Sequence, residues 1–146
     1  MRRTAIYPVV DKSEIKRRLL AWSQTYPVAL YLDSNDHIDA YSSWDCLVAT
    51  GTADTVECNA GSAFTALREF WTAKRDWCFG FLAYDLKNEV ENLRTRHSDP
   101  VGFPDLYFFQ PECVVGIRRG LLEIHTLSQD PAEVLKSLEG VLPVPP

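Results

Sequence analysis

The sequence has few of the features that mark a metal site, a membrane span or a nucleic-acid surface. Its four cysteines, Cys46, Cys58, Cys78 and Cys113, form no CxxC pair and have no neighbouring histidine to complete a zinc pattern. Acidic residues outnumber basic ones by 20 to 15, which argues against a nucleic-acid partner or an anionic membrane surface. The N-terminal apolar stretch is brief and broken by Pro8, so neither a signal peptide nor a membrane span is expected.

Length and composition predict one folded domain in a reducing compartment. The chain has 146 residues with 46% hydrophobic side chains, enough to build a single core. Cys46 and Cys78 lie within apolar runs and Cys113 adjoins one, where a reduced cysteine behaves as a small hydrophobe. We therefore expect a cytoplasmic protein rather than a disulfide scaffold.

Helices are predicted where apolar residues recur at spacings of three and four. The first begins at Asp11, which forms a capping-box pattern with Glu14. The second is capped by Ser62 and is expected to be broadly buried, and a short one starts near Leu86. The last has Asp130 as its cap, followed directly by proline.

Apolar runs predict strands at residues 27–34, 44–50, 77–84, 106–110 and 112–118. The run WCFGFLAY at 77–84 is apolar throughout, as expected of a central strand covered on both faces. Arg119 and Gly120 form a tight turn into LLEIHTL, which predicts a hairpin. Together these elements predict an α+β domain of antiparallel strand pairs with helices on an outer face.

Catalytic motifs are scarce. The sequence has no GxSxG elbow, no serine-x-x-lysine pair, no P-loop and no GxGxxG. Asp85 and Glu89 lie four apart at a predicted helix start and could hold magnesium or shuttle a proton. The alternative, which we favour, is an acidic first turn that complements the helix dipole on a solvated face. We accordingly predict no catalytic residue, no metal site and no cofactor in this chain.

A small pocket is possible between the second and third predicted elements. Ser34, Tyr41, Ser42 and Trp44 lie at the end of one strand and the start of the next. Hydroxyls and an aromatic wall at a pocket mouth are typical of small-molecule sites. A polar loop with one packed indole explains the same residues equally well.

Three segments together resemble a known family: GFLAYDLKNEVENL, the PDLYFF that follows it, and ECVVGIRRGLLEIHT. They look like the N-terminal region of component I of aminodeoxychorismate synthase, also called para-aminobenzoate synthase, within the chorismate-utilising enzymes. That family carries a G-Y-x-x-Y-D-x-x-x-x-x-E-x-L type segment, then Pro-Asp, then a strand pair. The matching positions here are Gly80, Tyr84, Asp85, Glu91, Leu93, Pro104 and Asp105. PVALYLDS and AYSSWDCLVA also resemble family segments, so the resemblance runs from about residue 12 to 140.

The resemblance implies that residues 1–146 form a single N-terminal domain of a layered α/β sandwich, completed by a C-terminal chorismate-binding domain. Catalytic groups and magnesium ligands belong to that C-terminal part, so this portion is expected to be inactive alone. The implied reaction is amination of chorismate to 4-amino-4-deoxychorismate in folate biosynthesis, with ammonia from a glutamine amidotransferase subunit. The terminal VLPVPP is an extended segment of the kind that joins domains, and we expect a cut at a boundary.

The resemblance also implies a tryptophan-type ligand pocket. The matching positions are Leu32, Ser34, Tyr41, Ser42 and Trp44. The arginine that stands next to Tyr-Ser in related sequences is replaced by Ser43, or by Ala40 in the other register. Serine cannot hold a carboxylate through two parallel hydrogen bonds as arginine does, so tryptophan binding stays open. Trp44, in place of the family's Phe, is an alternative occupant of part of this pocket.

Two other functions fit the sequence less well. The first is the N-terminal domain of anthranilate synthase component I, from tryptophan biosynthesis; the missing arginine and the Tyr-Ser-x-aromatic-Asp pattern disfavour it. The second is a stand-alone binding or interaction module, which predicts a monomer without exposed apolar patches. A fragment of a larger enzyme predicts exposed aromatic surface and self-association instead.

Overall fold

The computed structural model describes residues 1–37, 43–59, 61–83 and 104–146. Its elements in chain order are β1 (Arg3–Pro8), α1 (Lys12–Ser23), β2 (Ala29–Asp33), β3 (Cys46–Thr50), β4 (Asp54–Cys58), α2 (Ala63–Lys74), β5 (Phe79–Leu82), β6 (Leu106–Gln110), β7 (Cys113–Arg118), β8 (Leu121–Thr126) and α3 (Pro131–Gly140). Within these ranges the protein is α+β with antiparallel sheets, as predicted, and has three helices; the short helix predicted near Leu86 lies outside the described residues. None of these helices is long and apolar enough to cross a membrane.

The chain divides into two compact units. The first comprises residues 1–51 and 112–146, and the second comprises residues 52–111. The chain therefore leaves the first unit after Gly51 and returns to it at Glu112. The prediction that residues 1–146 act as a single domain of a larger enzyme stays a prediction.

The first unit is a five-stranded antiparallel sheet in the order β1-β8-β7-β3-β2, with α1 and α3 packed on one face. Successive strand residues point to opposite faces, so alternate positions of β3, β7 and β8 meet the helices. The buried core between sheet and helices consists of Leu19, Trp22, Cys46, Val48, Cys113, Val115, Ile117, Leu122, Ile124, Val134 and Leu138. Burying this continuous apolar layer is the main stabilising contribution to the unit.

The first helix begins and packs as predicted. The Asp11 carboxylate accepts a hydrogen bond from the Glu14 backbone N–H at 3.1 Å. The Glu14 carboxylate pairs with Arg18 in the next turn. Leu19 and Trp22 are buried on the predicted apolar face, which confirms the spacing argument.

The predicted hairpin is confirmed. Arg119 and Gly120 have φ of 55° and 73°, the left-handed conformations of a type I′ turn. This two-residue turn pairs Arg118 with Leu121 and Gly116 with Glu123. The hairpin register therefore follows from the turn itself.

The second unit is a three-stranded antiparallel sheet in the order β4-β6-β5, with α2 on one face. The prediction that α2 is broadly buried is wrong, because only Ala63 in this helix is buried. Phe64 and Leu67 are partly buried and Trp71 is 48% exposed. A single helix against three strands buries one stripe of its surface, whatever its composition.

The strand predicted at 77–84 is shorter and is not covered on both faces. β5 spans Phe79–Leu82 and lies at an edge of its sheet within the described residues, where it pairs with β6. Phe79 is 8% exposed, whereas Phe81 and Leu82 are 45% and 49% exposed. The apolar run instead supplies rings to an aromatic row: Phe81 stacks on Tyr107 at 5.9 Å between centroids.

Two strands were not predicted from the sequence. β1 pairs along its whole length with β8, near the other end of the chain. β4 contributes Val56 and Cys58 to the small core of the second unit. Neither strand has a long apolar run, so pairing with a partner distant in sequence decides its structure.

Candidate functional site

The face of the five-stranded sheet opposite α1 and α3, hereafter the distal face, contains a row of paired residues. Leu32, Leu47, Gly116, Glu123 and Ile6 follow one another across all five strands. Paired residues in an antiparallel sheet project from the same face, so these positions are neighbours. The row places one glycine between larger side chains.

Trp44 lies against this glycine. A Cβ at position 116 would lie 2.6 Å from Cε3 of Trp44 and 3.1 Å from Cδ1 of Leu47, so only glycine leaves room for the indole. The Arg118 guanidinium lies over the same ring, with Cζ 4.1 Å from the centroid. A cation–π contact of this kind contributes about 0.5–2 kcal/mol, depending on desolvation.

Arg118 is held in place by a carboxylate on the neighbouring strand. Its Nε donates to Oε2 of Glu123 at 2.5 Å, and its Nη2 donates to Oε1 at 3.2 Å. The Glu123 side chain is only 8% exposed. The hydrogen bond from Arg118 holds the pKa of Glu123 below its usual value, against the opposing effect of burial, and His125 contributes in the same direction.

The network continues onto β1. His125 Nε2 lies 3.2 Å from Oε1 of Glu123, and its Nδ1 lies 2.9 Å from Oγ1 of Thr4. Arg118, Glu123, His125 and Thr4 thus form one chain of polar contacts across β7, β8 and β1. These contacts hold the guanidinium over the Trp44 ring, with the Arg118 side chain still 37% exposed.

The end of β2, which the sequence predicts to border a pocket, contributes Leu32 to the distal face. Leu32 is 48% exposed on the distal face. The Ser34 N–H donates to the Asp45 carbonyl at 3.0 Å, and the Asp45 N–H donates to the Ile117 carbonyl at 2.8 Å. Ser34 Oγ is buried, and no partner for it lies within the described residues.

The predicted pocket residues are therefore partly brought together. Leu32 lies in the row that contains Gly116, Trp44 packs on that glycine, and Ser34 extends the edge of the same sheet. Tyr41 and Ser42 lie outside the described residues. The Trp44 indole packs on Gly116 and lies under the Arg118 guanidinium, and the choice between a pocket and one packed indole stays a prediction.

The family-signature positions are in the second unit or outside the described residues. A Cβ on Gly80 would overlap the Tyr107 carbonyl oxygen and lie 2.6 Å from Cα of Phe108, so β5 and β6 approach closely there. Pro104 and Asp105 lead into β6, and the Asp105 carbonyl accepts from the Ala83 N–H at 2.6 Å. Tyr84, Asp85, Glu89 and Glu91 fall outside the described ranges, so the choice between a carboxylate site and a solvated helix start stays a prediction.

Sequence reasoning missed Arg118, Glu123 and His125. The signal was present in the hairpin, because a two-residue turn at 119–120 fixes which residues face each other. With that register, Gly116 and Arg118 on β7 share a face with Glu123 and His125 on β8. Arg118 thus places a guanidinium over Trp44, the indole that the sequence had singled out.

In chemical terms the site combines an exposed apolar edge, a fixed aromatic ring and a partly exposed guanidinium. Among the described residues, no three His, Cys, Asp or Glu side chains are grouped so that they could hold a metal ion. No protein-family model matches the sequence, and no curated protein matches it.

Proposed function

We propose that this chain is the N-terminal domain of an aminodeoxychorismate synthase component I. In this proposal the domain completes the fold of a transferase that aminates chorismate, while the chemistry and its magnesium belong to a C-terminal chorismate-binding domain. A glutamine amidotransferase subunit supplies the ammonia. The observation that carries the proposal is the gathering of Leu32, Ser34 and Trp44 at one side of a sheet whose β7–β8 hairpin is the expected strand pair.

The second unit supports a role as part of a larger assembly. Trp71, Phe81 and Leu82 each expose nearly half of their surface. Phe81 and Tyr107 begin a row of ring contacts that continues through Phe109 to Phe79. Exposed aromatic and aliphatic surface of this kind is typical of protein contacts.

The experiment that tests the proposal starts from the gene. The reading frame is sequenced past Pro146, and its full product is incubated with chorismate, magnesium and ammonia. We expect 4-amino-4-deoxychorismate, and no turnover by the 146-residue chain alone. Formation of anthranilate would instead assign the chain to anthranilate synthase component I. A stop codon directly after Pro146, together with a monomeric product, would favour a stand-alone binding module.

Within this proposal, Trp44 takes the place of a free tryptophan. Its ring already occupies the surface of Gly116 beside Arg118. We therefore expect no heat from millimolar tryptophan in calorimetry with the wild-type chain, and saturable binding after Trp44→Ala. Arg118→Gln in the Trp44→Ala background should weaken that binding, since the Arg118 guanidinium, although paired with Glu123, is the cation beside the vacated ring position. Heat with the wild-type chain would show that Trp44 does not occupy the site.

A further inference from the structure

A groove in the first unit lies on the other side of the sheet from Trp44. It has a volume of about 460 Å³ and opens where β1 runs into α1, beside the C-terminal part of α3. Its floor and walls are apolar, formed by Tyr7, Val9, Ile15, Leu122 and Leu135. Pockets of about 300–1,000 Å³ with apolar walls and a few polar groups are typical small-molecule sites.

The rim of the groove carries an excess of negative charge. Asp11, Glu14 and Glu139 face one basic residue, Arg18. The Asp11 carboxylate is used at the start of α1, where it accepts from the Glu14 N–H. The Glu139 side chain is exposed, and no hydrogen-bond or ion-pair partner for its carboxylate lies within the described residues.

The three guanidinium nitrogens of Arg18 already donate hydrogen bonds within the protein. Its Nε and Nη2 donate to Oε1 of Glu14 at 3.2 and 3.0 Å. Its Nη1 donates to the carbonyl oxygens of Val141 and Glu139 at 2.6 and 3.0 Å. A bound anion would therefore meet three carboxylates and a guanidinium whose nitrogens are already engaged. A cation would meet the Glu139 carboxylate, for which the described part of the chain provides no partner.

We infer that this groove binds small amphipathic cations, with an ammonium group at Glu139 and an apolar body against Tyr7, Leu122 and Leu135. The apolar walls favour ligands with an apolar body, and the acidic rim favours ligands with a positive charge. This site is independent of the proposed enzyme family, because none of its residues belongs to the Trp44 cluster.

Three probes of similar size separate the contribution of charge from that of the apolar walls. They are 2-phenylethylamine, the neutral 2-phenylethanol and the anionic 3-phenylpropanoate, each titrated into the full chain and followed by amide NMR shifts. Ligands of this size bind with a Kd of about 1–10 mM when they fill a suitable pocket. We expect saturable shifts at Tyr7, Ile15 and Leu135 with the amine, weaker ones with the alcohol and none with the acid.

Glu139→Gln removes the carboxylate without changing the size of the side chain, and Glu133→Gln is its matched control. Glu133 is exposed on the same helix but lines a different cleft, beside Tyr26. A partly exposed ion pair is worth about a two- to fivefold change in affinity, so Glu139→Gln should weaken amine binding by that factor. The control should leave the binding unchanged.

Several results would overturn the inference. Equal binding of amine and alcohol, equal effects of the two glutamine variants, or saturable shifts located elsewhere would each do so. Absence of saturable shifts with the amine would do the same. Both substituted residues are exposed, so we expect the variants to fold. Their amide spectra, compared with that of the wild type, show whether the fold is retained.

Discussion

Gly116→Ala tests whether the distal face is built around the Trp44 indole. The new methyl group would lie 2.6 Å from Cε3 of Trp44, so the ring must move away. Displacing it costs packing energy of about 1–3 kcal/mol and weakens the contact with Arg118, worth about 0.5–2 kcal/mol. We expect a net loss of about 2 kcal/mol in the free energy of unfolding, measured by urea denaturation followed by circular dichroism.

A double-mutant cycle identifies the cause of this loss. In a Trp44→Ala background the added methyl has no ring to displace, and the next atom it meets is Cδ1 of Leu47, at 3.1 Å, the end of a flexible side chain. The same Gly116→Ala change should then cost less than about 0.5 kcal/mol, because the coupling partner is gone. Gly140→Ala is the control, since a Cβ there meets no atom within 4 Å. An equal cost of Gly116→Ala in both backgrounds would refute the proposed packing.

Three further predictions concern the acid dependence of the site, the helix caps and the β5–β6 contact. Arg118 lowers the pKa of Glu123 in the folded protein. The ionised Glu123 carboxylate therefore contributes its full stabilisation above the ordinary glutamate pKa of about 4.3, and this contribution is lost as the pH falls through the lowered pKa of the folded state. The stability difference between wild type and Glu123→Gln should therefore narrow in urea titrations as the pH falls below about 4.3, and a constant difference would contradict this. Asp130→Ala should lower the free energy of unfolding by about 1 kcal/mol in urea denaturation, because the Asp130 carboxylate caps α3. Ser62→Ala should change it by less than about 0.5 kcal/mol, because Ser62 makes no side-chain cap bond. Equal losses for the two variants would contradict these cap geometries. Gly80→Ala should lower the free energy of unfolding by about 3 kcal/mol in the same assay, since the new methyl group would meet backbone atoms of β6 that cannot rotate away. An unchanged free energy of unfolding would contradict this and show that β5 can shift.

Elements with local signals were predictable from the sequence. The cap at Asp11, the proline after Asp130 and the turn at 119–120 each involve residues within a few positions of one another. These interactions form whenever the local backbone forms, so a pattern of neighbouring residues is sufficient to find them.

Burial was harder to predict, because it depends on what packs against an element rather than on its own composition. The apolar run at 77–84 indicated a doubly covered strand, whereas β5 has an exposed end at Phe81 and Leu82. β1 was missed because its partner β8 is supplied by residues 121–126, and no local pattern encodes that pairing.

The candidate site was predictable only in part for a related reason. Trp44 was identified from its position between two strands, but its contacts come from β7 and β8. Those contacts require the order of strands in the sheet, which the sequence did not indicate. With β7 paired to β3, the register of the β7–β8 hairpin places Arg118 and Glu123 on the distal face, where Trp44 packs.

The passage of the chain from Gly51 into the second unit and back at Glu112 has a consequence for protein engineering. Thr50 and Cys113 face each other as the last pair of the β3–β7 ladder, and a Cβ on Gly51 would lie 3.0 Å from Cβ of Glu112. Gly51 has a φ of 74°, the conformation that tight hairpin turns use. Excision of residues 52–111 would therefore leave Gly51-Glu112 as a two-residue loop, so the second unit has the topology of an insertion into a β-hairpin.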